Sequence, residues 1–96
     1  MQTNIKYELI EHIDGRKVKF IKLRLGDEYS DVSTIFQGGL SFILKQVGDL
    51  SYDSGFGGQE LFGYIWYEDG TWSERGEYDG SEWWEHKDRP PFDIEL

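Results

Sequence analysis

The feature of this 96-residue sequence that most constrains its fold is a phrase that occurs twice, as YEDGTW at residues 67–72 and YDGSEW at residues 78–83. Each copy places Asp-Gly between aromatic residues that favour strands. Asp-Gly supplies the positive φ that a tight hairpin turn requires. The two phrases therefore predict three short antiparallel strands, over residues 60–67, 71–78 and 81–87.

A third Asp-Gly pair, at residues 14–15, predicts another hairpin nearer the N-terminus. Apolar residues alternate through residues 5–13 and again through residues 16–25, which we interpret as two further strands. The apolar phase of the second strand shifts partway. A bulge near Phe20 would explain the shift, and so would burial of both faces of the strand.

Between these strand regions the apolar residues recur at three- and four-residue steps, which predicts one helix over residues 31–47. Ser30 or Asp31 can cap its start, and Gly48 can cap its end. Gly38-Gly39 lies inside this segment at a cost of about 1 kcal/mol per glycine, so the helix is either continuous or broken at the pair. The Gly-, Ser- and Asp-rich residues 48–59 predict a loop.

These elements predict an α+β fold in the order β-β-α-β-β-β, with a five-stranded antiparallel sheet and the helix packed on one face. A chain of this length supports one core, so we expect a single domain over residues 1–96. Prolines 90 and 91 end the sheet because proline cannot donate to a strand ladder. Residues 88–96 are therefore expected to form a tail.

The composition excludes several classes of site. The chain contains no cysteine, which rules out disulfides, thiolate catalysis and cysteine-ligated zinc. No stretch approaches the roughly 18 apolar residues of a transmembrane helix, and the N-terminus lacks a signal-peptide pattern. We expect a soluble, cytoplasmic protein without membrane contact.

The net charge of −9 is distributed unevenly along the chain. Residues 1–25 carry an excess of three positive charges, whereas the remainder carries an excess of twelve negative charges. An acidic surface repels phosphate backbones, so we expect a basic protein partner and no direct binding of nucleic acid. The alternative interpretation is that acidity only keeps an aromatic-rich domain soluble.

The supply of catalytic groups is thin. His12 and His86 are far apart in sequence, and each is expected on the surface. The glutamates of the last two strands could converge on a cation or act as an acid and base, although solvated glutamates on a sheet are commoner. We therefore expect a binding protein that is not an enzyme and that uses no cofactor or metal.

The tryptophans point instead to a binding surface. Adjacent Trp83 and Trp84 must point to opposite faces of a strand, so at least one is expected in the core. Exposed tryptophan and tyrosine rimmed by acids mark a protein interface or a sugar-stacking surface. The predicted partner contacts are Asp69, Trp72, Glu74, Glu77, Asp79, Glu82, Trp83 and Glu85. The competing hypothesis is a small-ligand or carbohydrate-binding module that uses Trp66, Trp72 and Trp84.

Two longer runs, IWYEDGTW at residues 65–72 and EYDGSEWW at residues 77–84, resemble segments of small uncharacterised proteins of phages and prophages. The short, acidic, cysteine-free profile is similar to that of phage-encoded inhibitors of host defence, including anti-CRISPR proteins and DNA mimics. This resemblance implies an inhibitor that blocks a nucleic-acid-binding host protein, such as a CRISPR-type complex, in the bacterial cytoplasm. The basic N-terminal segment departs from a pure DNA mimic, and both a monomer and a homodimer stay open.

Overall fold

A five-stranded antiparallel sheet organises this chain, as seen in a computed structural model that describes residues 2–26, 33–53, 58–78 and 81–88. The strands of this sheet are β2 (Val18–Leu25), β3 (Thr34–Gly38), β5 (Leu61–Tyr67), β6 (Trp72–Tyr78) and β7 (Ser81–Lys87). A separate two-stranded sheet pairs β1 (Gln2–Asn4) with β4 (Ser51–Asp53), and the helices are α1 (Ile5–Ile13) and α2 (Leu40–Val47).

The predicted fold class is confirmed, because the described elements form an α+β fold with a five-stranded antiparallel sheet. The strand order is β3-β2-β5-β6-β7, which places β5 at the centre. Both helices pack on the same face of the five-stranded sheet. Ile43 and Val47 of α2 and Leu9 and Ile13 of α1 share one buried cluster with inward residues of the sheet, such as Ile65.

Residues 5–13 form a helix, so the predicted first strand is wrong. The apolar residues Ile5, Leu9 and Ile13 are spaced by four, and this spacing satisfies both the two-residue period of a strand and one face of a helix. Asn4 decides between them, because its Oδ1 accepts a hydrogen bond from the N–H of Tyr7 at 2.9 Å, which is an N-cap.

Asp14-Gly15 ends α1 and is not a hairpin turn. Asp14 has a φ of 47°, in the left-handed region, and its N–H donates to the carbonyl of Ile10 at 3.1 Å. This arrangement satisfies a carbonyl that the helix terminus would otherwise leave without a partner. The positive φ that the sequence pattern predicted is present, but it serves a helix C-cap.

The predicted helix over residues 31–47 is broken at the glycine pair. Residues 34–38 form the edge strand β3, and the helix starts only at Leu40, whereas residues 31 and 32 lie outside the described part of the chain. Gly38 has a φ of 146°, which a helix cannot accommodate, and Gly39 is the N-cap of α2. The predicted loop over residues 48–59 also contains a strand, β4.

The C-terminal strands were predicted correctly. Strands β5, β6 and β7 match the predicted ranges to within one residue. The register of β2 against β5 shifts between Val18 and Phe20, which confirms the bulge interpretation. Gly70, with a φ of 91°, makes the turn between β5 and β6. The second predicted turn, at Asp79-Gly80, and residues 89–96 lie outside the described residues.

In the part of the chain that the structure describes, no helix has the length and apolar character needed to cross a membrane.

Candidate interaction site on the helix-free face of the sheet

Alternation along the strands sorts the aromatic side chains of the sheet into two sets. On the central strand β5, Leu61, Ile65 and Tyr67 point towards the helices and are buried, whereas Tyr64 and Trp66 point away and are exposed. The described residues place no helix over this second side. Its aromatic residues are Phe20, Phe62, Tyr64, Trp66, Trp72, Trp83 and, at the end of β6, Tyr78; we call the first six the aromatic face.

The rings at the centre of the aromatic face contact one another. Ring centroids lie 6.0 Å apart for Phe20 and Trp66, 5.6 Å for Tyr64 and Trp66, and 6.4 Å for Tyr64 and Trp72. Phe20, Tyr64 and Trp66 nonetheless remain 39%, 43% and 37% exposed. The result is one continuous apolar ridge across strands β2, β5 and β6.

Charged side chains flank the ridge, and the net charge has opposite sign on its two sides. On β2, Lys22 is exposed and the guanidinium of Arg24 lies 4.0 Å from the ring centroid of Phe62, a cation–π contact. On β6 and β7, Lys87 forms ion pairs with Glu74 at 3.3 Å and with Glu85 at 3.4 Å. The β2 side of the aromatic face is therefore basic, and the opposite side carries a net acidic charge.

Local hydrogen bonds tune the acidic side. Hydrogen bonds to Glu74 and Glu85 raise the pKa of Lys87. The indole Nε1–H of Trp83 donates to Glu85 at 2.8 Å, and this bond lowers the pKa of Glu85. These groups are all solvated, so the bonds orient the side chains more than they stabilise the fold.

The predicted contact residues are divided between locations. Trp72, Glu74, Trp83 and Glu85 lie together on the aromatic face. Asp69 lies in the β5–β6 turn, where its carboxylate accepts hydrogen bonds from the N–H and hydroxyl of Thr71 that lower the pKa of Asp69. Glu77 is exposed but alternates onto the helix side of β6. Asp79 lies outside the described residues.

Glu82 is buried, so it is not part of any exposed acidic surface. Its carboxylate accepts the backbone N–H groups of Glu60 at 2.8 Å and Leu61 at 3.0 Å, and it pairs with Arg75 at 3.0 Å. The side chains of Arg75 and Glu82 are 1% and 0% exposed. Both residues occupy the inward phase of their strands, the signal by which sequence reasoning could have found this pair.

Arg75 links the last strands to α1 and β4. Its guanidinium also contacts Glu8 at 3.2 Å and donates to the hydroxyl of Tyr52 at 2.8 Å. The pKa of Tyr52 is raised to about 12, and burial is the largest cause of this shift. This ionic cluster has a structural role, because its members satisfy one another inside the domain.

His12 lies on α1 and His86 lies on the helix side of β7, and both are only partly exposed, whereas the sequence placed them on the surface. His12 Nε2 lies 2.8 Å from the Oγ of Ser73, which in turn lies 2.8 Å from the hydroxyl of Tyr67. His86 Nε2 lies 3.0 Å from the Oγ1 of Thr71. Burial and the nearby charges of Arg16, His86 and Arg75 lower the pKa of His12.

The Ser73–His12 contact has the residue types of a nucleophile and base, but not their accessibility. Ser73 is 0% exposed and is covered by α1, so its hydroxyl has no route to a substrate. Across the described ranges, no three His, Asp or Glu side chains are grouped closely enough to hold a metal ion. Among the described residues, the exposed aromatic rings that contact one another lie on the aromatic face.

The tryptophans of the carbohydrate hypothesis are also divided. Trp66 and Trp72 are register partners on the aromatic face. Trp84 is 7% exposed and packs between His12, at a centroid distance of 6.1 Å, and the guanidinium of Arg75, at 5.0 Å. Two of the three predicted stacking rings are therefore available to a ligand.

Comparison of the chain with protein-family models, with curated proteins and with solved structures finds no match.

Proposed function

We propose that this protein acts by binding another protein, without catalysing a reaction, and that the aromatic face is its binding surface. The observation that carries this proposal is the continuous ridge formed by the exposed rings of Phe20, Trp66 and Tyr64 and the half-buried Trp72, on the side of the sheet opposite the helices. Sheets in small domains usually keep polar residues on the side that faces water. A contiguous apolar patch on that side marks an interaction surface.

The energetics favour occupation of this surface. Burial of apolar area stabilises a complex by about 25 cal/mol per Å², so covering the exposed part of each large ring contributes about 2 kcal/mol. Aromatic residues at the centre of an interface also dominate binding energy in general. A complex that covers several of these rings can therefore offset the entropy lost on association.

The partner that we propose is a basic, nucleic-acid-binding host protein. A phage-derived inhibitor of a basic, nucleic-acid-binding host protein would use Trp72, Glu74, Trp83 and Glu85, which share the aromatic face. Asp69 would contribute from the β5–β6 turn, whereas Glu77, on the helix side of β6, would not contact a partner docked on the aromatic face. Because Lys22 and Arg24 lie on the same face, the docking surface of the partner would carry charges of both signs.

A matched pair of variants tests the proposal. Tyr64→Lys places a charge in the ridge, whereas Tyr7→Lys makes the same change on α1, where Tyr7 is 76% exposed and on the opposite side of the molecule. Both positions are solvent-exposed, so both variants should fold, as circular dichroism would verify. Affinity capture from a bacterial lysate that also contains an untagged copy of this chain is the assay.

We expect the wild-type chain and Tyr7→Lys to retain the same proteins and Tyr64→Lys to lose them, because a lysine in the ridge must be desolvated on binding. Unchanged retention by Tyr64→Lys would show that the aromatic face is not the binding surface.

A second candidate function is a carbohydrate-binding module, because Trp66 and Trp72 lie side by side across β5 and β6 on an exposed face. Sugar stacking buries apolar ring surface and depends weakly on salt, whereas charge-guided protein binding depends on it strongly. We expect no change in tryptophan fluorescence in a glycan screen at high salt. A shift that Trp66→Ala abolishes would favour the module instead.

A further inference from the structure

We propose that the occupant of the aromatic face is a second copy of this chain, docked face to face about a two-fold axis parallel to β5. This inference rests on the proposed function, since it uses the same surface. It is carried by the arrangement of side chains across the sheet, which is self-complementary in this one orientation.

Most of the outward side chains form three rows that run across the strands, beyond which Tyr78 and Ser81 pair at the end of β6 and β7. Their composition follows from the strand register, with Phe62 placed beside Gly76 by continuing the pairing of Tyr64 with Glu74. In order from the β3 edge to the β7 edge, the rows are Phe20, Trp66, Trp72 and Lys87; then Gln37, Lys22, Tyr64, Glu74 and Glu85; then Ile35, Arg24, Phe62, Gly76 and Trp83.

A two-fold axis parallel to the central strand β5 places each row opposite the same row of the partner, with the order of its residues reversed. In the middle row, Lys22 then faces the partner's Glu74, and Tyr64 faces the partner's Tyr64. In an aligned face-to-face packing of two sheets, the inner side chains of both sheets interdigitate across about 10 Å. Each dimer therefore gains two symmetry-related pairs of opposite charge at the edges of its aromatic centre.

The outer rows match by apolar character. Phe20 faces the partner's Trp72, and Ile35, which is 56% exposed, faces the partner's Trp83, which is 37% exposed. The β5 residues of these rows, Trp66 and Phe62, meet their own counterparts on the axis. Large exposed apolar side chains at the sheet edges thereby find apolar partners, and the ridge becomes the centre of the interface.

A two-fold axis perpendicular to the strands does not give this match. It would keep each strand over its own copy, so that Lys22 would face the partner's Lys22 and Glu74 the partner's Glu74. Like charges directly opposite one another are destabilising. The separation of basic β2 from acidic β6 and β7 therefore selects the axis parallel to β5.

The face is large enough for such a dimer. Five strands of about seven residues, spaced by about 4.8 Å and rising about 3.3 Å per residue, give a footprint of roughly 20 by 23 Å. With its protruding side chains, such a surface approaches the roughly 800 Å² per partner of a standard protein interface. The dimer also turns the helix side of both copies, with exposed acids such as Glu11, Asp14 and Asp49, towards solvent.

Analytical ultracentrifugation of charge-reversal variants tests the inference. Lys22→Glu and Glu74→Lys each turn both intersubunit charge pairs into like-charge pairs. Lys45→Glu is the matched control, because Lys45 is an exposed lysine on α2 away from the aromatic face. Circular dichroism spectra would confirm that each variant is folded before its mass is measured.

We expect the wild type and Lys45→Glu to dimerise in the micromolar range, and each face variant to dimerise roughly tenfold more weakly or worse. Mixing Lys22→Glu with Glu74→Lys should restore dimers, because every charge pair across that heterodimer is again of opposite sign. A wild type that stays monomeric at every concentration measured would overturn the inference. Dimerisation of Lys22→Glu or Glu74→Lys as tight as that of Lys45→Glu would overturn it as well.

Failure of the dimer and failure of the proposed function give different results. A monomeric wild type that captures a host protein, and loses it in Tyr64→Lys but not in Tyr7→Lys, would overturn the dimer and support the proposed function. If Tyr64→Lys dimerised as tightly as the wild type and also captured other proteins equally well, both the dimer and the proposed function would be overturned.

Discussion

Arg75 shows how one inward-facing cation organises the interior of this domain. Its side chain is 1% exposed and contacts Glu82, Glu8 and the hydroxyl of Tyr52. An ion pair buried to this extent adds little net stability over an apolar pair, but removal of Glu82 leaves the buried Arg75 with only the partly exposed Glu8 as a counter-charge. Glu82 also accepts hydrogen bonds from two backbone N–H groups at the start of β5, so its removal would deprive these donors of their acceptor as well.

Glu82→Ala is therefore expected to lower the free energy of unfolding by about 3 kcal/mol or more. Glu68→Ala, which removes an exposed glutamate from the β5–β6 turn, should change it by less than about 0.5 kcal/mol. Urea denaturation followed by circular dichroism measures both values. Similar unfolding midpoints for the two variants would show that the Arg75 cluster does not stabilise the fold.

His12 predicts a pH dependence of stability. Its pKa in the folded state is lowered from 6.5, chiefly by burial and then by Arg16, His86 and Arg75. The unfolded chain therefore binds a proton more readily, so the contribution of His12 to stability is complete above 6.5 and is lost as pH falls towards the folded pKa.

The unfolding free energy of the wild type should accordingly decrease as pH falls below 6.5, and His12→Gln should show a smaller decrease. Urea unfolding at a series of pH values provides the comparison. If the wild type kept constant stability through this range, or if both proteins declined equally, the account of His12 would be contradicted.

Among the helices and strands, the sequence best predicted those for which the turn residues and the alternation of apolar residues indicated the same structure. Strands β5, β6 and β7 were predictable because each is an alternating run next to Asp-Gly or Gly-containing turns. Helix α1 was not, because a four-residue spacing of isoleucine and leucine fits a strand as well as a helix, and only Asn4 breaks the tie. The positive φ at Asp14 was correctly predicted and wrongly assigned to a hairpin.

The site was partly predictable for a similar reason. Sequence patterns identified an aromatic surface near acids, and four of the eight predicted contacts share the aromatic face. Strand phase placed at least one of Trp83 and Trp84 in the core and gave Glu82 the same phase as Trp84, but the buried side was not identified because the sequence did not show which face the helices cover. Lys22 and Arg24 were also missed as members of this surface, since their proximity to Tyr64 and Phe62 follows from the pairing of β2 with β5.

The glycine pair between β3 and α2 gives a prediction at this scale, because the same substitution should have different effects at the two positions. Gly38 has a φ of 146°, and a Cβ there would lie 2.8 Å from the Cδ2 of Phe42. Gly39 caps α2, and a Cβ there would meet no atom within 4 Å. Serine is a better N-cap than glycine.

Gly38→Ser should therefore destabilise the fold by about 1–3 kcal/mol, whereas Gly39→Ser should be neutral or stabilise it by a few tenths of a kcal/mol. Thermal and urea unfolding of the two variants would measure the difference. Equal destabilisation by both changes would argue against a strand that stops and a helix that starts at this pair.

At the scale of the whole molecule, aromatic and charged surfaces are segregated. The side of the sheet without helices carries the ridge between basic β2 and acidic β6 and β7. The helix side and the turns carry exposed acids, namely Glu11, Asp14, Asp49, Glu68, Asp69 and Asp88. A chain of net charge −9 thus keeps its most apolar surface where charge repulsion is lowest, which suits that surface to close contact with a protein.

The indole N–H signals of the four tryptophans report whether a partner docks on the aromatic face, because three of the tryptophans lie on that face and one, Trp84, is buried under the helices. The measurement is the ¹⁵N-correlated spectrum of the labelled chain before and after addition of a protein that it captures, an unlabelled copy of itself included. We predict that the Trp66, Trp72 and Trp83 signals shift or broaden while the Trp84 signal stays in place. Binding that leaves those three signals unchanged, and moves instead the amides of the exposed side of α1 or α2, would contradict the assignment of the aromatic face as the binding surface.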